Sequence, residues 1–192
     1  MQKKKFAKTE KAFLFLLEKV FELGSLPFEV FDQATAHGGF GKRTLGSALS
    51  GVRKRGYVKT IRKHHAQSPM LVLTPKGNLR ILLERCKLLQ SEERKPWDKK
   101  WRIIIFDIPE RLRAHRDFLR RHLVSFGFAK LHKSVWITPR RISPELIQLL
   151  WEMRIKIYTR CMVVEHMDYD KDLLKKFELL HESSKRISEF VT

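Results

Sequence analysis

The sequence predicts an α+β protein made of two small domains. Its 192 residues suit two modest cores better than one. Three consecutive isoleucines, residues 103–105, follow a polar stretch, and a run without alternation is typical of a central strand buried on both faces. Pro109 ends that strand because it has no amide hydrogen to donate. We therefore predict domains at 1–90 and 101–170, a linker at 91–100 and a C-terminal helix at 171–192.

The charge of the chain favours a polyanionic partner. There are 40 Lys and Arg against 21 Asp and Glu, a net charge of +19, and up to Gln90 the ratio is 18 to 6. Such a field attracts nucleic acid or an anionic membrane surface, and a solvated basic face without a partner is the alternative. Cys86 and Cys161 lie in apolar runs and are too few for a disulfide framework, which indicates a reducing cytoplasm. No segment approaches membrane-crossing length.

Apolar spacing and turn residues give the element order of the first domain. Apolar residues three and four apart predict a first helix around 13–21, and Ser25 with Pro27 predicts the cap and first turn of a second. A glycine-rich turn leads into a third helix at 42–54. Residues 57–63 and 70–73 then predict a hairpin, and a final helix follows whose buried stripe includes Leu79, Leu82, Leu83, Cys86 and Leu89.

This order is that of a winged helix-turn-helix, in which the third helix enters the major groove of DNA. Cationic and hydroxyl side chains at the front of that helix can bond base edges or phosphates, and the hairpin tip can reach the backbone or a minor groove. An ordinary solvated basic helix is the rival interpretation. The predicted DNA-binding residues are Lys42, Arg43, Thr44, Ser47, Ser50, Arg53, Lys54, Arg62, Lys63, His64 and His65.

The second domain alternates strands and helices in another recognisable order. After the strand come a helix with arginines on its outer side, short strands at 128–131 and 134–138, and a helix from Pro144 whose apolar side includes Trp151. A strand at 161–165 and a helix from Asp170 complete the chain. Strand, helix, strand, strand, helix, strand is the split βαβ order of the ferredoxin-like fold.

Three motifs carry a resemblance to a known family. They are W-D-x-x-W-R-x-x-x-F-D-I-P-E at 97–110, G-F at 127–128 and S-V-W-I-T-P at 134–139. They resemble the phenylacetate-catabolon repressor family, PaaX, although Lys99 stands where that family commonly has glycine. The resemblance implies a transcriptional repressor with an amino-terminal winged helix, a central ferredoxin-like domain and a coenzyme A thioester as effector. The family's usual third, mostly helical region is missing after Thr192, which argues against the effector.

Asp107, at the end of the central strand, leaves two functions open. A short acid at such a turn often caps backbone amides, and a lone carboxylate is a poor metal site. The central domain is nevertheless similar to the small CRISPR-associated nuclease subunit, whose proposed metal-binding aspartate matches Asp107. We expect a homodimeric repressor that binds double-stranded DNA without a cofactor. The alternative is a metal-dependent nuclease in which paired Asp107 side chains across a dimer hold Mg²⁺ or Mn²⁺.

Overall fold

The computed structural model describes residues 2–27, 39–62, 68–92 and 96–179, in a chain that divides into two compact units, Met1–Leu82 and Leu83–Thr192. The protein is mixed α and β with two antiparallel sheets, as the sequence predicts. None of the helices within these described ranges combines the length and the apolar character needed to cross a bilayer.

The first unit packs helices against a three-stranded sheet of order β1-β3-β2. Its core joins the apolar sides of the first two helices, including Leu16, Leu17 and Leu45, to Leu71 of the sheet. The predicted bounds of the 42–54 helix and the 70–73 strand are confirmed, whereas the first hairpin strand is shorter than predicted. The elements are α1 (Gln2–Leu23), β1 (Leu26–Pro27), α2 (Lys42–Lys54), β2 (Val58–Ile61) and β3 (Met70–Leu73). Helix α3 (Pro75–Glu92) begins in this unit and continues past its boundary at Leu82.

Pro27 does not begin a helix, and that prediction is wrong. Leu26 and Pro27 form strand β1, in which Leu26 lies opposite Leu71 and Pro27 opposite Met70. The side chain of Leu26 is only 1% exposed, so its burial against β3 decides the conformation. β1 is an edge strand, where a proline without an amide donor is tolerated. The remainder of the predicted second helix, at 28–38, lies outside the described residues.

Helix α3 begins as predicted and ends later. The Thr74 hydroxyl oxygen accepts a hydrogen bond from the Gly77 amide at 3.2 Å, and Pro75 occupies the first helical position. The helix continues to Glu92, two residues into the predicted linker. The predicted buried stripe is wrong at one residue, because Leu79 is only half-buried and Ile81 is fully buried instead. Leu82, Leu83 and Cys86 are buried as predicted.

Burial explains the chemistry of the cysteines. Desolvation raises the pKa of the Cys86 thiol to about 12, and it also raises the pKa of the half-buried Cys161. A thiol with a raised pKa is a poor nucleophile, because the thiolate is the reactive form. Cys86 therefore acts as a small apolar core residue, as its sequence context indicates.

The second unit is built on a four-stranded antiparallel sheet of order β5-β6-β4-β7. β4 lies in the centre and is buried on both faces, as predicted, because Ile104 and Phe106 alternate with the buried Trp101 and Ile103. The elements are β4 (Trp101–Phe106), a 3₁₀ turn (Glu110–Leu112), α4 (Arg113–Ser125), β5 (Ala129–His132), β6 (Val135–Thr138), α5 (Pro144–Glu152), a second 3₁₀ turn (Lys156–Tyr158), β7 (Thr159–Val164) and α6 (Lys171–Lys176).

Trp151 lies outside the core, contrary to the prediction. Helix α5 buries Leu146, Leu149 and Leu150, which share one face at three- and four-residue spacing. Trp151 lies a further 100° around the helix and is 59% exposed. Apolar residues occur on more than one side of this helix, so the sequence alone does not show which side faces inward.

The W-D-x-x-W-R motif is a structural clamp at the start of β4. Arg102 is only 6% exposed, and its guanidinium donates to both carboxylate oxygens of Asp98 at 2.5 Å. It also donates to the backbone oxygens of Lys100 and Pro139, so this buried charge is surrounded by acceptors. The Trp97 indole donates to the Lys100 oxygen at 3.0 Å. Trp97 is therefore part of the second unit although it lies within the predicted linker.

Lys99, inside this clamp, has φ +59°, a left-handed conformation that favours glycine. We expect Lys99→Gly to stabilise the second unit by about 0.5–1 kcal/mol, because an L side chain costs about 1–2 kcal/mol there and glycine's larger unfolded-state entropy offsets part of the gain. All four tryptophans lie in this unit. Thermal unfolding followed by tryptophan fluorescence measures the change. Lys99→Ala shortens the same side chain but keeps a Cβ at the left-handed φ. Equal stability of the two variants would contradict the view that this φ destabilises the unit.

Candidate nucleic-acid interface

Helix α2 presents one polar face to solvent. Arg43, Ser47, Ser50 and Lys54 are exposed and recur at intervals of three or four residues, which places them on the same side of the helix. Lys42 and Arg53 are also exposed, at the two ends. Thr44 is half-buried at the margin of this face. The structure therefore brings together most of the helical residues that the sequence predicts for DNA contact.

The opposite face fixes the helix in place. Leu45, Ala48 and Val52 are buried in one cluster with Leu16 and Leu17 of α1. Fully burying side chains of this kind contributes about 1.5–3 kcal/mol each for the larger ones. The exposed face is thus carried by a rigid element, and a ligand that binds it need not order the helix first.

The front of α2 carries two cations at the positive end of the helix dipole. Among the described residues, neither Lys42 nor Arg43 has an ion-pair partner, and the first turn contains no acidic residue. Gly41 precedes them at the N-cap and has no side chain to cap the helix. Cations beside the positive end of a helix dipole destabilise the helix slightly, and a phosphate bound there would relieve that repulsion.

The helical surface continues onto the hairpin. The Arg53 guanidinium donates to the Thr60 hydroxyl of β2 at 3.1 Å, which links the end of α2 to the strand. Lys59, Thr60 and Arg62 are exposed along and just after that strand. The other three predicted residues of the hairpin tip, Lys63, His64 and His65, lie outside the described part of the chain.

Two cations beside this surface were not predicted from the sequence. The Arg55 guanidinium lies 4.9 Å from the Phe13 ring centroid, and Lys76 Nζ donates to the Arg55 backbone oxygen at 2.9 Å. Lys76 Nζ also lies 5.3 Å from the Tyr57 ring centroid. The basic run 53–55 was a visible signal for Arg55. Lys76 joins it only through a contact between residues 21 positions apart, which sequence spacing does not reveal.

The arginines of α4, predicted as the outer side of that helix, are largely neutralised. Arg116 pairs with Glu110 at 2.8 Å, and Arg120 pairs with Asp117 at 3.3 Å. Arg113 lies within 3.7 Å of both acids. Helix α4 therefore has interspersed charges of both signs, and α2 is the stronger anion-binding candidate.

Asp107 is exposed, and the predicted cap is wrong. Its amide donates to the Tyr158 oxygen at 2.9 Å, but its carboxylate makes no hydrogen bond or ion pair with a described residue. The nearby Glu110 is bonded to Arg116, which holds the pKa of Glu110 below its usual value. No group of three His, Cys, Asp or Glu side chains within the described ranges could hold a metal ion. The described residues of one chain thus do not by themselves supply the ligand set that a divalent cation prefers.

Comparison with known proteins shows a match within the second unit. Residues 94–174 match the family model described as the PaaX protein central Cas2-like domain. The PaaX segment, residues 94–174, is thus similar to the central domain of that family. This match confirms the resemblance carried by the motifs at 97–110 and 134–139, and it supports transcription regulation as the class of function. The PaaX segment contains the whole β4–β7 sheet and Asp107. No curated protein matches the chain.

Proposed function

We propose that the chain is a transcriptional repressor that binds double-stranded DNA through the exposed face of α2. One observation carries the proposal: Lys42, Arg43 and Lys54 are exposed and form no ion pair with a described residue, on a helix that buries its other face. Unneutralised cations on a rigid helix are suited to phosphates and to guanine acceptors. The PaaX segment supports a regulatory role for the whole chain.

The proposal includes the fold of each unit. In the first, α2 is the recognition helix of a winged helix and β2–β3 is its wing; the order α1, β1, α2, β2, β3, α3 supports this. In the second, the strand that comes first in the chain, β4, lies between the third and the fourth, which is the arrangement of a ferredoxin-like sheet.

The proposed contacts differ along α2. Arg43, Ser47 and Ser50 lie on the middle of the exposed face and would reach base edges, with Lys42 and the half-buried Thr44 beside them. Lys54, Arg53 and Arg62 lie toward the hairpin and would bind phosphates, which position the protein without reading sequence. Lys63, His64 and His65 remain candidates for the wing tip.

A homodimer is part of the proposal. Two copies of α2 in successive major grooves would match a palindromic operator, since the two-fold symmetry of such sites mirrors that of the protein. Light scattering should give a mass of two chains for the free protein and of two chains plus one duplex for the complex. A single chain bound to DNA at saturation would contradict this part.

Replacing Arg43 by alanine should reduce affinity for duplex DNA by about 5- to 150-fold or relax base preference, since a bidentate base contact is worth about 1–3 kcal/mol. Gel shifts against a duplex selected from a random pool measure the change. Lys19→Ala is the matched control, because Lys19 is an exposed cation of α1 paired with Glu22 at 2.8 Å. If Arg43→Ala binds with wild-type affinity and preference, α2 is not the reader.

A second candidate function is metal-dependent nuclease activity. Its supporting observation is Asp107, exposed at the end of the central strand with no described partner for its carboxylate. It requires ligands from a second copy, because one chain's described residues do not supply them. Incubation with DNA and RNA plus Mg²⁺ or Mn²⁺ tests it. Cleavage that disappears in Asp107→Ala would establish the nuclease, and absence of cleavage in the wild type would eliminate it.

A further inference from the structure

Gly46 occupies an unusual position for a glycine. It lies in the interior of α2, on the exposed face, one turn from Arg43 and one turn from Ser50. A Cβ built at Gly46 would meet no atom within 4 Å. Glycine in a helix interior is less favourable than alanine because it loses more conformational freedom on folding.

The other glycines in the described helices show how the fold itself can require glycine. At Gly77 a Cβ would lie 2.1 Å from the Tyr57 backbone oxygen, so the fold itself excludes a side chain. At Gly51 a Cβ would lie 3.8 Å from Phe13 Cδ2, an ordinary contact. Among the described residues, nothing comparable to the Tyr57 oxygen requires glycine at Gly46.

The surroundings of Gly46 indicate which molecule would use the open space. Arg43 and Lys42 are cations without an ion-pair partner among the described residues, and they lie one turn before Gly46. Ser47 and Ser50, beside Gly46 on the same face, have short side chains that leave the backbone accessible. An anionic partner attracted by the cations would therefore meet the α2 backbone first at Gly46.

We propose that Gly46 is the point of closest approach between α2 and double-stranded DNA. A base edge or the sugar-phosphate backbone would occupy the space that a Cβ would fill, in contact with the helix backbone. This inference rests on the proposed function and adds a steric determinant to its charged contacts. Glycine at this position lowers the stability of the helix relative to alanine.

Gly46→Ala tests the inference against Gly51→Ala. Both changes put a helix former into α2, so both should raise the melting temperature of the first unit, by about 2–6 °C. Only Gly46→Ala should weaken binding, by roughly 5- to 150-fold, because an added methyl group in a close contact costs about 1–3 kcal/mol. The probe is a duplex that the wild type selects from a random pool, measured by fluorescence anisotropy at one fixed salt concentration.

The possible outcomes distinguish a failure of this inference from a failure of the proposed function. Wild-type affinity in Gly46→Ala, with the melting temperature raised, would overturn the inference and leave DNA binding intact. An equal loss of affinity in both variants would also overturn it, because helix stiffness rather than close approach would be the cause. If the wild type itself selects and binds no duplex, the proposed function is wrong and the inference fails with it.

Discussion

Gly77→Ala should lose a large part of the stability of the first unit. A Cβ at this position would lie 2.1 Å from the Tyr57 oxygen and 2.9 Å from Leu73 Cδ2. The first of these is a backbone atom, and the Tyr57 oxygen already accepts a hydrogen bond from the Thr74 amide at 3.0 Å, so neither side can move freely. We expect a loss of about 3 kcal/mol or more, a large part of the 5–15 kcal/mol typical of a domain.

Far-UV circular dichroism during thermal unfolding measures this loss. A shift of about 12 °C or more is expected, since 1 kcal/mol corresponds to about 4–8 °C in a unit of this size. Gly51→Ala is the matched control, because a Cβ there meets only Phe13 at 3.8 Å, and it should not destabilise the unit. A Gly77→Ala protein that melts with the wild type would show that α3 does not approach the Tyr57 carbonyl as closely as the structure has it.

Asp98→Asn should destabilise the second unit by about 2–3 kcal/mol at neutral pH. Asp98 supplies both carboxylate oxygens to the buried Arg102 guanidinium, and asparagine would leave that charge without its counter-ion. Breaking a fully buried pair typically costs about 3–5 kcal/mol. The lower figure applies here because the Asp98 side chain is 32% exposed. Tryptophan fluorescence during denaturation measures the change.

The same pair gives a pH dependence with a definite sign. The hydrogen bonds from Arg102 lower the pKa of the Asp98 carboxyl in the folded state. The pair therefore contributes its full stability above the ordinary aspartate pKa, near 4, and loses it as the pH falls through the lowered folded value. The wild type should lose more stability than Asp98→Asn in this acid window.

The exposed pair of Lys100 and Glu165 provides the control. It also has a 2.5 Å contact, but both side chains lie at the surface. Exposed pairs contribute about 0–1 kcal/mol, so Glu165→Gln should have little effect at any pH. Equal destabilisation by Asp98→Asn and Glu165→Gln would contradict the view that burial of Arg102 makes the motif a clamp.

Local patterns could predict much of this fold. Apolar periodicity and flanking glycines set the bounds of α2, and the isoleucine run identified β4 as central. Strand β1 escaped because it depends on pairing with β3, more than forty residues away. A serine two residues before a proline is a local signal for a helix start, and the burial of Leu26 outweighs it.

From the sequence, the candidate interface could be predicted only for residues that lie on a single helix. Periodicity identifies the residues that share the face of Arg43. The contacts of Arg53 with Thr60 and of Lys76 with the Arg55 oxygen depend on how separate elements pack. The space above Gly46 likewise became visible only once its neighbours had positions. At Asp107 a local pattern misleads. The turn suggests a carboxylate that caps backbone amides, but the Asp107 carboxylate makes no hydrogen bond with a described residue.

The salt dependence of duplex binding tests the central claim most directly. If the cations of α2 and the hairpin neutralise roughly 6–10 phosphates, affinity should fall by about a thousandfold or more between about 50 and 200 mM salt. A variant with both Lys42→Ala and Arg43→Ala should bind more weakly and with a shallower slope, by about one unit for each phosphate that it no longer neutralises. Binding that does not change with salt, or an identical slope in the variant, would contradict the assignment of α2 as the DNA-binding surface.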